Sequence, residues 1–159
     1  MRKPPLPLYV VTGTASQGAL YSTLSLVAAR RDRRLGWRDG RPGLLNRAGL
    51  GVGTLGLGVL AWAAAGHHKG SPDDVRIGVT SDYVTDQGAY GFTRNPLYLG
   101  GMTTWFGWAL WRGSRRSALA GAVWLTGLAA FGVPFEERKL EAKFGQTYRD
   151  YKQRVPRWL

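Results

Sequence analysis

The run Ala48-Gly49-Leu50-Gly51-Val52-Gly53-Thr54-Leu55-Gly56-Leu57-Gly58-Val59-Leu60-Ala61-Trp62-Ala63-Ala64-Ala65-Gly66 contains no charged side chain, and how it is read decides the fold. Gly51 to Gly56 fits the spacing G-x-G-x-x-G. As a dinucleotide-binding turn that spacing needs a strand before it and an amphipathic helix after it. Here it lies inside an apolar stretch long enough to cross a bilayer. Close helix packing is the better account, with Gly49 and Gly53 four apart on one helical face.

Working outward, the same feature recurs. The chain has 159 residues, of which 20% are charged, so a charge is expected about every fifth position. Yet Pro4–Ala29, Ala48–His68, Asn95–Trp111 and Ser117–Phe135 contain none. These gaps match the length of a bilayer span. The expected fold is an all-α integral membrane protein, one domain over 1–159. It has about four transmembrane helices, at 6–29, 48–66, 95–111 and 117–135. The last two form a tight hairpin through Arg112-Gly113-Ser114-Arg115-Arg116, and Pro134 closes the fourth. A polar, basic, helical tail follows, interrupted at Gly145.

The mean hydropathy of −0.21 is low for such a protein. The mean is diluted by 23 glycines and by basic residues gathered in connectors, so the windowed pattern governs. The first segment is a weak span, carrying Thr12, Thr14, Ser16, Gln17, Ser22, Thr23 and Ser25. Such side chains bond to their own helix or to a neighbour. It lacks the compact apolar stretch and small-residue exit of a cleavable signal. Trp105, Trp108, Trp111 and Trp124 lie in or near the ends of the hairpin, where indole rings favour the interface.

Composition excludes several chemistries. With no cysteine there is no disulfide framework, cysteine nucleophile, thiolate zinc site or iron–sulfur centre. His67-His68 has no further ligand pattern around it, so no metal is expected. A net charge of +12 could serve nucleic acid. No nucleic-acid motif accompanies it, and arginines flanking spans suit anionic lipid headgroups, so membrane lipids are the expected partners. Basic residues do not orient the chain: the N-terminus, second connector and tail hold twelve, the other two connectors ten.

Ionisable residues at a membrane edge are costly and therefore candidates for function. Two clusters qualify. One runs Gly88-Ala89-Tyr90-Gly91-Phe92-Thr93-Arg94-Asn95-Pro96-Leu97-Tyr98-Leu99-Gly100-Gly101, and the other starts at Glu136-Glu137. In the hairpin, the start of one helix meets the end of the other, so residues about 40 apart in sequence become neighbours.

The combination resembles the isoprenylcysteine carboxyl methyltransferase family, within the larger group that includes phospholipid methyltransferases. That family's pattern is Gly-x-Tyr, Arg-His-Pro-x-Tyr-x-Gly, two Glu after the last span, Phe-Gly, two tyrosines and a closing Val-Pro. Here it is met by Gly88-Ala89-Tyr90, Arg94-Asn95-Pro96-Leu97-Tyr98-Leu99-Gly100, Glu136-Glu137, Phe144-Gly145, Tyr148, Tyr151 and Val155-Pro156. The likeness covers about Val84 to Trp158.

The resemblance implies a membrane methyltransferase using S-adenosylmethionine and acting on a small lipophilic acceptor, isoprenylcysteine carboxylate-like or phospholipid-like. It places the cofactor at the cytosolic edge, in the part from about 82 to 159. It implies that Tyr83, Val84, Tyr90, Asn95, Pro96, Leu97, Tyr98, Gly100 and Glu136 bind cofactor. For the chemistry, Arg94, Tyr98 and Glu137 are the candidates, the last two as proton-handling groups if the acceptor is an amine. The expected location is an inner membrane of bacterial type, with the site facing the cytoplasm.

Two departures stand out. Asn95 replaces the family's usual His and cannot carry charge near neutral pH. Gly132 stands where many carboxyl methyltransferases of the group have an Arg one turn before the glutamates. Both leave the acceptor open, and both favour the rival expectation of a non-catalytic membrane scaffold.

Overall fold

The computed structural model describes residues 4–32, 34–70 and 83–159. Much of the second connector, residues 71–82, lies outside the described residues, as does Arg33 of the first. The described chain is dominated by helices. α1 is Leu6–Ala29 and α2 is Leu44–Gly70. A single 3₁₀ turn, Gly88–Gly91, precedes α3 at Pro96–Arg112. α4 begins at Arg115, and α6 is Gln146–Arg154. A two-residue-per-strand hairpin, Trp37–Arg38 with Arg41–Pro42, turns at Asp39-Gly40, both at positive φ. That is the primed turn that Asp-Gly favours.

Among the described residues, two helices are long and apolar enough to cross a membrane: α2 and the continuous helix Arg115–Phe144. The charge-free part of the latter ends at Phe135, so Glu136 and Glu137 stand beyond it. α3, with 17 residues, spans about 26 Å at 1.5 Å per residue, a little under the hydrocarbon core.

Pro134 does not end the fourth helix as expected. α4 (Arg115–Gly127) passes through a π-helical turn, Leu128–Gly132, directly into α5 (Val133–Phe144). A proline inside a helix lacks an N–H and clashes with the carbonyl four residues back. The wider π turn immediately before it relieves that conflict, so the helix runs on to Phe144.

α2 packs most extensively on α3. The glycines of the opening run explain how closely. A Cβ at Gly49 would lie 2.7 Å from the Gly107 carbonyl oxygen, and one at Gly56 would lie 2.7 Å from that of Gly100. Gly51 and Gly58, on the other face of α2, have nothing within 4 Å. The packing seam is therefore Gly49, Gly53 and Gly56, with Gly51 of the G-x-G-x-x-G spacing outside it.

α1 docks through its hydroxyls. Ser25 Oγ donates to the Trp105 carbonyl (3.0 Å) and lies 2.7 Å from Ser117 Oγ. Trp108 Nε1 donates to Ser22 Oγ (2.8 Å). Trp105 is not an interfacial anchor: it is buried, and its Nε1 donates to the Ser117 carbonyl (2.9 Å). Its large apolar ring fills the α1–α3–α4 junction while its N–H keeps a partner. The hairpin forms as expected. Gly113 closes α3 in the left-handed region, and Ser114 caps α4 by accepting from Ser117 N (3.0 Å).

Candidate active site

α3 begins at Pro96, whose missing N–H falls where a helix needs none. The extended residues before it run alongside the C-terminal tail. Arg94 N donates to the Pro156 carbonyl (3.0 Å), and Thr93 Oγ1 to that of Arg157 (2.9 Å). Asn95 Nδ2 donates to the Arg157 carbonyl (3.1 Å), and Tyr151 Oη to that of Tyr90 (2.9 Å). The closing Val155-Pro156 thus folds back beside the Arg94-Asn95-Pro96 stretch.

Arg94 ties the two clusters together. Its Nε and Nη2 donate to Glu137 Oε1 at 3.0 and 2.8 Å. Its Nη1 donates to the carbonyls of Lys152 (3.1 Å) and Val155 (2.7 Å). Arg157 closes the other side, with Nη2 2.7 Å from Glu137 Oε2. Burial pushes the Glu137 carboxyl up, but the hydrogen bonds of Arg157 and Arg94 outweigh it and hold it below its ordinary value. Glu137 is buried and held on both oxygens.

The adjacent Glu136 differs. It is exposed, and its Oε2 accepts from Tyr98 Oη at 2.9 Å, 38 residues away in sequence. Successive residues on a helix point about 100° apart, so one glutamate faces the tail and the other the start of α3.

These contacts border a partly open cavity of about 230 Å³. Of the expected cofactor residues, Tyr83, Val84, Tyr90, Asn95, Pro96, Leu97, Tyr98 and Glu136 line it, together with Arg94 and Glu137. Gly100 does not. It lies on the α3 face against α2, where a Cβ would be 2.9 Å from Leu60 N. Four residues past Pro96, it shares nearly the same helical face but lies one turn, about 6 Å, further along α3, in the packing seam.

The tail adds Leu140, Tyr148 and Tyr151 to the walls. Burial, then the nearby Glu137 charge, pushes Tyr148 up to about 12. Burial likewise raises the phenols of Tyr90 and Tyr151. All three therefore present neutral rings and hydroxyls near neutral pH.

The first half of the chain also reaches the cavity, through Gln17 of α1 and His67 of α2. Neither belongs to the motif pattern. The available signal was a polar side chain in or bordering an apolar run, which marks a functional candidate in a membrane.

The sequence profile described as phospholipid methyltransferase matches residues 50–147. The chain belongs to that family. The matched region carries most of α2, the second connector, α3 and the glutamate pair, which are most of the parts that build the cavity. The chain is also 38% identical over 63 residues to an uncharacterized protein of Haemophilus influenzae, covering 40% of this chain and all of that protein. No solved structure matches it. Membership in this family implies methyltransferase activity generally, and with the two apolar helices it supports a place at a membrane.

Proposed function

We propose that this protein is an integral membrane methyltransferase of four spans that uses S-adenosylmethionine. It acts on a small lipophilic acceptor, isoprenylcysteine carboxylate-like or phospholipid-like, drawn from the bilayer. One observation carries the proposal. The Arg94–Tyr98 stretch and the Glu136-Glu137 pair, expected to cover one pocket, are joined by Arg94–Glu137 and Tyr98–Glu136 contacts around a single cavity.

The residues suit that cofactor. Glu136 offers a carboxylate to an ammonium group, and Tyr83, Tyr90 and Tyr148 offer ring faces to a cation. When bound, the cofactor supplies a methyl group on a sulfonium for direct displacement by the acceptor. The protein's task is alignment and exclusion of water. Glu136 and Tyr98 hold the polar end, while Asn95, Pro96 and Leu97 shape the wall. Tyr148, Tyr151 and Leu140 close the cavity from the tail. Arg94 and Glu137, bound to each other and to the tail, act as positioning residues. The site end faces the cytoplasm, where the cofactor is available, and the membrane is an inner membrane of bacterial type.

Calorimetry with S-adenosylhomocysteine in detergent tests the proposal. Wild type is expected to bind, with Glu136→Ala and Tyr98→Ala each weakening binding at least tenfold. Absent binding, or binding indifferent to both substitutions, overturns it. Labelled methyl recovered in a lipid extract excludes a scaffold role.

A further inference from the structure

The cavity contains one histidine, and it does not come from the motif. Asn95 occupies the position where the family pattern has a titrating group. Glu137 is committed to two arginines. His67 lines the same cavity from the end of α2. Its surroundings bear on where its proton sits. Tyr9 Oη and Tyr83 Oη both lie 2.7 Å from His67 Nδ1. Tyr83 has one hydroxyl proton, and it is donated to the His67 carbonyl oxygen at 2.7 Å. That carbonyl lies in the last turn of α2, where the helix itself leaves acceptors without partners. Two oxygens crowd one ring nitrogen, and one of them has spent its proton. A hydrogen on Nδ1 serves both oxygens, whereas a bare Nδ1 accepting from Tyr9 would face the lone pairs of Tyr83 Oη at 2.7 Å. The neutral ring then keeps its lone pair on Nε2, which has no hydrogen-bond partner among the described residues. The Tyr9 ring lies nearly parallel to the imidazole, with centroids 6.0 Å apart, and the Tyr83 centroid is 5.0 Å away, so the orientation is held.

We infer that His67 is the proton-accepting residue of the site, taking the proton of an ammonium-bearing lipid acceptor onto Nε2. This rests on the methyltransferase proposal above. The acceptor R–NH3⁺ gives H⁺ to neutral His67 and becomes R–NH2. Its nitrogen lone pair forms the new N–CH3 bond as the sulfonium C–S bond breaks, and the electron pair of that bond stays on sulfur. The product is a methylated ammonium, and the imidazolium returns its proton to water.

The groups around His67 are compatible with this. His68 is adjacent on α2, and Tyr9, Tyr83 and Tyr90 lie against the His67 ring from α1, the connector and the 3₁₀ turn. Across the cavity stand Glu136 with Tyr98, and the Arg94–Glu137 pair, with Tyr148 and Tyr151 behind. Arg94 is already neutralised by Glu137, and Glu136 is taken by the polar end of the cofactor, which leaves His67 to receive the acceptor's proton.

The test compares wild type with His67→Gln in detergent micelles containing phosphatidylethanolamine, with labelled donor, across pH 6 to 10. His67→Gln is expected to lose about 100-fold in methyl transfer at neutral pH. The gap should close as pH rises and the amine deprotonates unaided. S-adenosylhomocysteine binding by calorimetry should change less than twofold, and nitrogen NMR of wild type should show His67 protonated at Nδ1. Equal rates and profiles for both proteins overturn the inference, as does a matching loss of cofactor-analogue binding or a proton found on Nε2. A wild type that binds the analogue but never labels the amine overturns it while leaving the methyltransferase proposal standing. A wild type that binds nothing removes both.

Discussion

The two ends of the helix bundle solve the same problem with different chemistry. At the end away from the cavity, Asn46 holds the connectors together. Its Nδ2 lies 3.0 Å from the Leu35 carbonyl oxygen, 2.9 Å from that of Leu110 and 3.3 Å from that of Trp111. Asp32 accepts from Ser114 Oγ (2.9 Å) and Arg116 N (2.8 Å). At the cavity end the tie is ionic, Arg94–Glu137–Arg157. The ends are about 32 Å apart along α2, from Asn46 to His67, at 1.5 Å per residue. Sequence counts sharpen the contrast. Among the described residues, the cavity end carries nine basic and five acidic residues, the other end nine and two. Cations at the cavity end are partly neutralised within the fold, as Lys152 is by Glu141 and Arg154 by Asp86. Those at the far end suit anionic headgroups. An amide knot closes its end; an ionic knot holds a cavity open beside it.

The largest expected effect comes from cutting the ionic knot. Glu137→Ala strands two arginines, one of them nearly buried, and should destabilise by about 3–5 kcal/mol. A thermal-unfolding comparison in detergent checks this, and loss of S-adenosylhomocysteine binding should accompany it. A variant as stable as wild type would mean that the tie is ornamental and the tail is held by other contacts.

Acid should loosen the same end more gently. The Glu137 carboxyl titrates below its ordinary value of 4.5 in the folded protein. Its contribution is therefore complete above that value and is lost as pH falls through the folded-state value. Unfolding midpoints followed from pH 7 to 3 should drop at the acid end in wild type, and less steeply in Glu137→Gln. Parallel curves would assign acid sensitivity elsewhere.

How much of this was legible follows the physics of each part. Charge-free runs located the helices because apolar length and missing charge report directly on burial in lipid or protein. The Arg94 and Glu136-Glu137 clusters could be paired because a tight hairpin brings its two outer ends together. Pro134 misled, since a π turn upstream can absorb a proline and no simple pattern announces one. Gly100 misled because motif membership says nothing about how far along a helix the cavity reaches. Gln17 and His67 stayed hidden because long-range packing of α1 and α2 brings them to the cavity.

Asn46 gives the smallest effect and the cleanest separation of the two ends. Asn46→Leu removes an amide that lies against three carbonyls; Gly113 N still donates to that of Leu110 and Trp37 Nε1 to that of Trp111, so the Leu35 carbonyl is the one that loses its donor. One carbonyl left without its donor costs about 1–3 kcal/mol, so the unfolding midpoint should fall. The cavity is about 32 Å distant, so S-adenosylhomocysteine affinity should stay within twofold of wild type. If affinity instead drops in step with stability, the bundle behaves as one cooperative body. The amide knot then belongs to the site as much as the ionic one does, because a rigid seam of glycines between α2 and α3 would transmit strain from one end to the other.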